Sequence, residues 1–184
     1  MLLWFDDRIP VTLDRERGGP PGLHASVRGA IRYATDRHLD SPMDPIPQVT
    51  IRPARLADLA VIAAIQSASP EAAQWNPPDY LKQDCLVAEA KGCVAGFLAA
   101  RQVAPGECEI LNLAVDPAER RSGIARRLVQ AALERAPGAW FLEVRESNIA
   151  AIHLYENAGF KGAGRRPNYY NDPPEDAIVM RFFS

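Results

Sequence analysis

Cysteine is scarce in this chain: Cys85, Cys93 and Cys108 are the whole set in 184 residues. An odd, sparse set beside predicted strands excludes a disulfide frame and fits reduced thiols in a cytoplasmic protein. Histidine is equally thin. His24, His38 and His153 are scattered, and no His or Cys spacing matches a zinc site, so no metal is expected. An excess of positive charge is missing too. The formal net charge is −2, which leaves no global basic footprint for nucleic acid. No apolar run approaches the ~20 residues of a membrane span. Met1–Phe5 is apolar but stops at Asp6-Asp7, too short and too acidic for a secretory signal. What remains is 47% hydrophobic and 24% charged, the composition of one globular domain.

The first 48 residues differ from the rest. They hold Pro10, Pro20, Pro21, Pro42, Pro45, Pro47 and Gly18-Gly19, a density that disfavours long regular elements. Val27, Ile31 and Ala34 permit one short helix over about 25–39. Residues 1–48 are therefore expected to be an extension of open role, with Met43 an alternative start, and residues 49–184 the domain.

Along that domain the pattern predicts a strand at 49–52, a helix at 56–66, and a proline-rich loop at 67–80 carrying Trp75. A Trp there either plugs the core edge or lines a groove. A hairpin over 85–103 turns at Lys91-Gly92. The run 110–115 reads as a buried strand closed by Asp116-Pro117, with Glu107 and Glu109 on the face shared by Leu111 and Leu113. From Ala118 the period becomes helical, with Ala125, Leu128, Val129, Ala132 and Ala136 on one face. A strand at 140–145, a helix at 149–158 stopped by Gly159, and strands at 160–164 and 177–183 around a loop at 165–176 complete the chain.

Between the 110–115 strand and its helix lies Arg120-Arg121-Ser122-Gly123-Ile124-Ala125. A glycine turn opening a helix leaves backbone N–H groups unpaired at the positive end of the helix dipole, a seat for phosphate. The plainer reading is an ordinary connection with solvated arginines. Glu143, in the 140–145 strand, is either functional or paired with Arg145 on the same face. Asn148 and Tyr155 share one helix face; their plainer roles are a cap and a core-edge aromatic.

Together these residues resemble the GNAT superfamily of N-acetyltransferases. Its acyl-CoA motif Gln/Arg-x-x-Gly-x-Gly/Ala is matched by Arg120, Gly123 and Ala125, after the strand LNLAVDP. The runs LEVRESNIAAIHLYENAGF (142–160) and GRRPNYYNDPPEDAIVM (164–180) are similar to the bacterial ribosomal-protein alanine N-acetyltransferases, the RimI group. The resemblance covers about residues 49–184. It implies an α/β (α+β) GNAT fold: a mixed, mostly antiparallel sheet of about seven strands flanked by about four helices. It implies acetyl-CoA as cosubstrate. The N–H groups of Arg121, Ser122, Gly123, Ile124, Ala125 and Arg126 would hold the pyrophosphate, with help from Arg120 and the Ser122 hydroxyl. Leu113, Ala114 and Val115 would pair with the pantetheine arm, and Asn148 would bond the cofactor. Glu143 carries over as general base and Tyr155 as general acid.

The implied acceptor is a protein N-terminus, first the N-terminal alanine of small-subunit ribosomal protein eighteen. Trp75, Tyr169 and Tyr170 would flank the peptide, and Glu107 and Glu109 would meet a basic residue in it; Glu107 is equally readable as a solvated strand end. A small amine or lysine side chain is the alternative acceptor, and a non-catalytic acetyl-CoA-binding module the alternative class. Oligomeric state is left open.

Overall fold

The computed structural model describes residues 49–183. The expected extension over 1–48, its short helix and Met43 lie outside the described residues. Seven strands form one sheet: β1 (Thr50–Pro53), β2 (Asp84–Ala90), β3 (Cys93–Ala104), β4 (Glu107–Val115), β5 (Ala139–Arg145), β6 (Lys161–Asn171) and β7 (Pro174–Phe183), in the spatial order β1-β2-β3-β4-β5-β7-β6. Only β4 and β5 run parallel; every other neighbouring pair is antiparallel. The helices are α1 (Leu59–Ser67), α2 (Ile124–Arg135) and α3 (Ile149–Asn157), with 3-10 turns at Leu56–Asp58, Pro77–Lys82 and Pro117–Glu119. This is the mixed, mostly antiparallel sheet that the sequence led us to expect. Among the described residues no helix is long and apolar enough to cross a membrane.

Alternation along the strands sorts side chains to two cores. Leu86, Leu98, Ile110 and Leu142 face α2 and α3, where Leu128, Val129, Tyr155 and Phe160 complete the larger cluster. Cys85, Val87, Phe97 and Ala99 face α1, where Ile62, Ile65 and Tyr80 complete the smaller one. Cys85 and Cys108 are buried and Cys93 is exposed, all three as free thiols. The β2–β3 hairpin turns at Lys91 and Gly92 as expected, both left-handed (φ 53° and 79°), the pattern that matches strand twist.

Two expectations are corrected. The helix read from Ala118 begins only at Ile124. Asp116 first caps a 3-10 turn, its Oδ1 accepting from the Ala118 N–H at 2.9 Å, and then Arg121 (φ 63°) and Gly123 (φ 85°) break the helical path. The loop read over 165–176 is mostly strand: β6 and β7 continue to a tight turn at Asp172-Pro173. Pro167 hid this, since proline argues against a strand; β6 is the sheet edge, where a missing N–H is tolerated. An irregularity between Arg166 and Tyr170, with Asn168 at φ 52°, absorbs the misfit.

The start of β4·β5 pairing depends on Gly138. The Gly106 carbonyl accepts from the Ala139 N–H at 2.9 Å, and a Cβ on Gly138 (φ 137°) would lie 2.2 Å from that carbonyl oxygen. Backbone cannot yield as a flexible side chain does. Gly138→Ala is expected to cost about 3 kcal/mol of stability, read as a lowered urea midpoint.

Candidate active site

Parallel pairing between β4 and β5 runs only from Glu107–Ala139 to Ile110–Leu142. Beyond it the strands part. A bulge at Leu111 shifts the register, Ile110 facing Ala100 and Asn112 facing Ala99. Leu113, Ala114 and Val115 stay on β3, while Glu143, Val144 and Arg145 stay on β7. Each strand thus keeps one sheet neighbour and turns an edge to the gap. A cavity of about 890 Å³ opens there, within the usual range for a small-molecule site.

The bulge also corrects a face assignment. Cys108, Ile110 and Leu113 all pack with the larger core, whereas Ala114 belongs to the smaller one. Glu107 and Glu109 therefore do not share a face with Leu113, because the extra residue at Leu111 inverts the alternation. Glu109 lines the cavity and is paired with Arg101 at 2.7 Å; Glu107 is not part of the lining.

At the end of β4 the chain enters the turn that opens α2. Gly123 stands at its N-cap in the left-handed region, and the first bond back to it is Arg127 N–H to Gly123 C=O at 3.1 Å. The N–H groups from Gly123 to Arg126 precede that first full turn and have no carbonyl behind them. Arg120, Arg121, Gly123, Ile124, Ala125 and Arg126 line the cavity, though the Arg120 side chain is held by protein partners. Two neighbours behave differently. The Ser122 hydroxyl donates to the Glu119 carbonyl, and Ser122 is absent from the lining. The Arg120 guanidinium is committed to protein partners: Glu71 at 2.8 Å, Ser69 Oγ at 2.9 Å and the Val115 carbonyl at 3.3 Å. Arg120 fastens the loop after α1 to the end of β4.

On the opposite wall, β5 presents Glu143 and α3 presents Asn148 and Tyr155. The Asn148 side chain caps α3, its Oδ1 accepting from the Ala151 N–H at 3.1 Å. Both readings of Asn148 are thus compatible, since it also borders the cavity. Tyr155 is buried and stacks edge-on against Phe160 with centroids 5.6 Å apart, and its hydroxyl has no hydrogen-bond partner among the described residues. Burial, and secondarily Tyr170, pushes its phenol above the ordinary range.

Glu143 does not pair with Arg145. Arg145 reaches across to Glu175 at 3.1 Å and lies 4.1 Å over the Tyr170 ring, while Glu143 Oε1 meets Arg166 Nε at 2.8 Å. The sequence reading missed Arg166 because it assigned that stretch to a loop. Tyr169 and Tyr170 pack edge-to-face at 5.1 Å and both line the cavity. The Tyr169 phenol is pushed up by burial and by the adjacent Glu143 carboxylate. The Tyr170 hydroxyl donates weakly to the Glu143 carbonyl at 3.4 Å. Trp75 fills both roles considered for it. It packs on the smaller core and borders the cavity.

Also missed was Asn112, buried in the otherwise apolar run Ile110–Val115. One polar residue in such a strand is a signal that could have been read.

The model of the acetyltransferase (GNAT) family matches residues 56–160, more than half of the chain. The Escherichia coli [ribosomal protein bS18]-alanine N-acetyltransferase is 44% identical over 95 residues, 48% of this chain and 64% of that protein. The Mycobacterium tuberculosis N-alpha-acetyltransferase RimI is 41% identical over 88 residues, 47% of this chain and 56% of that protein. The aligned segment thus spans under two thirds of each of these relatives. The crystal structure of the Escherichia coli ribosomal-protein-S18-alanine N-acetyltransferase superposes with a TM-score of 0.64 and 32% identity, over 73% of this chain and 93% of that one. By its family match, its sheet and its split between β4 and β5, the chain belongs to the GNAT family of acetyltransferases.

Proposed function

We propose that the protein transfers an acetyl group from acetyl-CoA to the α-amino group of a protein N-terminus in the cytoplasm, with an N-terminal alanine such as that of ribosomal protein bS18 as the leading acceptor. The carrying observation is that Glu143 and Tyr155 open into the same cavity as the unpaired edge of β4 and the N-terminus of α2. The Escherichia coli relative is named for that acceptor.

The groups present fit acetyl-CoA. Backbone donors from Gly123 to Arg126 suit a pyrophosphate, and the free edge of Leu113–Val115 suits an extended amide-bearing arm. Acetyl-CoA would supply an acyl thioester. A backbone N–H on β4 would then stabilise the charge that develops on the carbonyl oxygen. The attacking amine has an ordinary pKa of about 7.7–8.0, so a carboxylate acting through water suffices as base. Glu143 takes the amine proton, the new N–C bond forms, and the C–S bond breaks. Tyr155 delivers a proton to the departing thiolate and is reprotonated from solvent or from Glu143.

A phenol held above its usual range by burial keeps its proton throughout the working pH range. Tyr155→Phe is expected to lower kcat about a hundredfold, with acetyl-CoA affinity kept. The wild-type rate should show no alkaline fall up to about pH 9, since Tyr155 deprotonates only above the ordinary value of about 10. A kcat–pH profile of both proteins checks this.

The function itself is tested by mass spectrometry of acetylated products after incubation with acetyl-CoA, an alanine-initial peptide, and free amines. Acetylation at the peptide α-amine supports the reading. Preference for free amines or lysine side chains overturns the acceptor; no transfer to any amine overturns the activity.

A further inference from the structure

The cavity lining includes the irregular segment from Pro70 to Trp75, the part against which the resemblance puts the acceptor peptide. Such a segment cannot satisfy its backbone through a sheet or helix ladder, so its hydrogen bonds must go elsewhere. Two buried side chains, Gln66 and Asn112, take up several of them, and the Tyr80 hydroxyl links those two. The Gln66 amide brackets Trp75: Nε2 donates to the Trp75 carbonyl at 3.0 Å, and Oε1 accepts the Trp75 N–H at 2.9 Å. Asn112 Nδ2 donates to the Ala73 carbonyl at 2.8 Å and to the Tyr80 hydroxyl at 2.7 Å. The Tyr80 hydroxyl closes the circuit by donating to Gln66 Oε1. Tyr80 is fully buried, with its ring 5.0 Å from Trp75 and 4.9 Å from Phe97.

Three polar side chains sit here in an otherwise apolar cluster. Burying them contributes little net stability, because each hydrogen bond is offset by desolvation. What the network does contribute is geometry. It ties α1, the 3-10 turn at Pro77–Lys82 and β4 to one wall segment. It grips β4 at the residue after the Leu111 bulge, next to the strand edge that faces the gap.

Resting on the transferase reading above, we infer that Tyr80, with Gln66 and Asn112, is a positioning residue that sets the Trp75 wall for the acceptor peptide. Its influence falls on acceptor recognition and leaves cosubstrate binding and the chemical step alone. Tyr80→Phe keeps the ring and removes only the hydroxyl that links Gln66 to Asn112.

The test is steady-state kinetics of the full chain with an alanine-initial peptide. Tyr80→Phe should raise the peptide KM at least fivefold and keep kcat and the acetyl-CoA KM within twofold. Trp75→Phe should raise the peptide KM similarly, and the double variant should fall short of the product of the two effects. Gln66→Asn, too short to bracket Trp75, should reproduce the pattern should Tyr80→Phe fold poorly. An unchanged peptide KM, an equal rise in the acetyl-CoA KM, or full multiplicativity would overturn the inference. Acrylamide quenching, with the Trp75→Phe protein subtracted, reads the wall without any turnover. Tyr80→Phe should make Trp75 more accessible, and unchanged quenching contradicts the inference even where no acceptor is found.

Discussion

Glu143→Gln should lower kcat by a factor on the order of a hundred or more at neutral pH while leaving acetyl-CoA affinity within twofold. The amide keeps the shape of the side chain and loses its ability to take a proton. It also loses the ion pair with Arg166, 2.8 Å away, so the rate change must be separated from a loosened β6. Arg166→Gln provides that control: it breaks the same pair and keeps the carboxylate. If Glu143 is the base, this variant retains most of kcat. If the two variants lose activity equally, the pair holds the site together and Glu143 has no distinct proton-transfer role. Stopped single-turnover rates, together with a binding isotherm for acetyl-CoA, distinguish the outcomes.

Gly123→Ala is the second large expected effect, and it falls on cosubstrate binding. The residue sits at φ 85°, where an L side chain costs roughly 1–2 kcal/mol. A Cβ there meets nothing within 4 Å, so no clash contributes and the strain is purely conformational. The turn relieves it by rotating out of the left-handed region, which redirects the N–H groups that open α2. Acetyl-CoA should then bind about tenfold more weakly, with melting lowered by only a few degrees, as isothermal titration and a thermal scan would record. The contrast with Gly138 is instructive. There the added carbon lies 2.2 Å from a backbone oxygen, and the loss is expected in stability, with no selective change in ligand binding.

Most strands were legible because apolar alternation and turn residues agree along the chain. The Lys91-Gly92 hairpin is a clear case. The far half of the β6–β7 ribbon, read as a loop over 165–176, was not, because Arg165, Arg166, Pro167 and Asn168 carry no apolar period; an exposed edge strand needs none. The bulge at Leu111 was equally invisible. It depends on how β4 meets β3, and no local pattern in ILNLAV announces an extra residue. Its consequence was to invert a face assignment for Glu107 and Glu109.

The cavity brings together Glu143, Asn148, Tyr155, Trp75, Tyr169 and Tyr170, all chosen from motif and resemblance. The partners of those residues were much harder to foresee. Arg120 reads as a phosphate ligand in the motif, yet it spends its guanidinium on Glu71 and Ser69. Arg166 reaches Glu143 across strands more than twenty residues apart in sequence, a pairing only the sheet order makes possible. Side-chain partners depend on register, and register was the least readable quantity.

The central claim is that the gap between β4 and β5 seats acetyl-CoA, with the opening of α2 holding its phosphates. A crystal structure of the complex with acetyl-CoA tests it most directly. The account predicts pyrophosphate oxygens within hydrogen-bond distance of the N–H groups between Gly123 and Arg126, and pantetheine amides paired with the backbone of Leu113–Val115. A cosubstrate whose pyrophosphate lies away from the start of α2, or whose arm leaves the β4 edge unpaired, would contradict it.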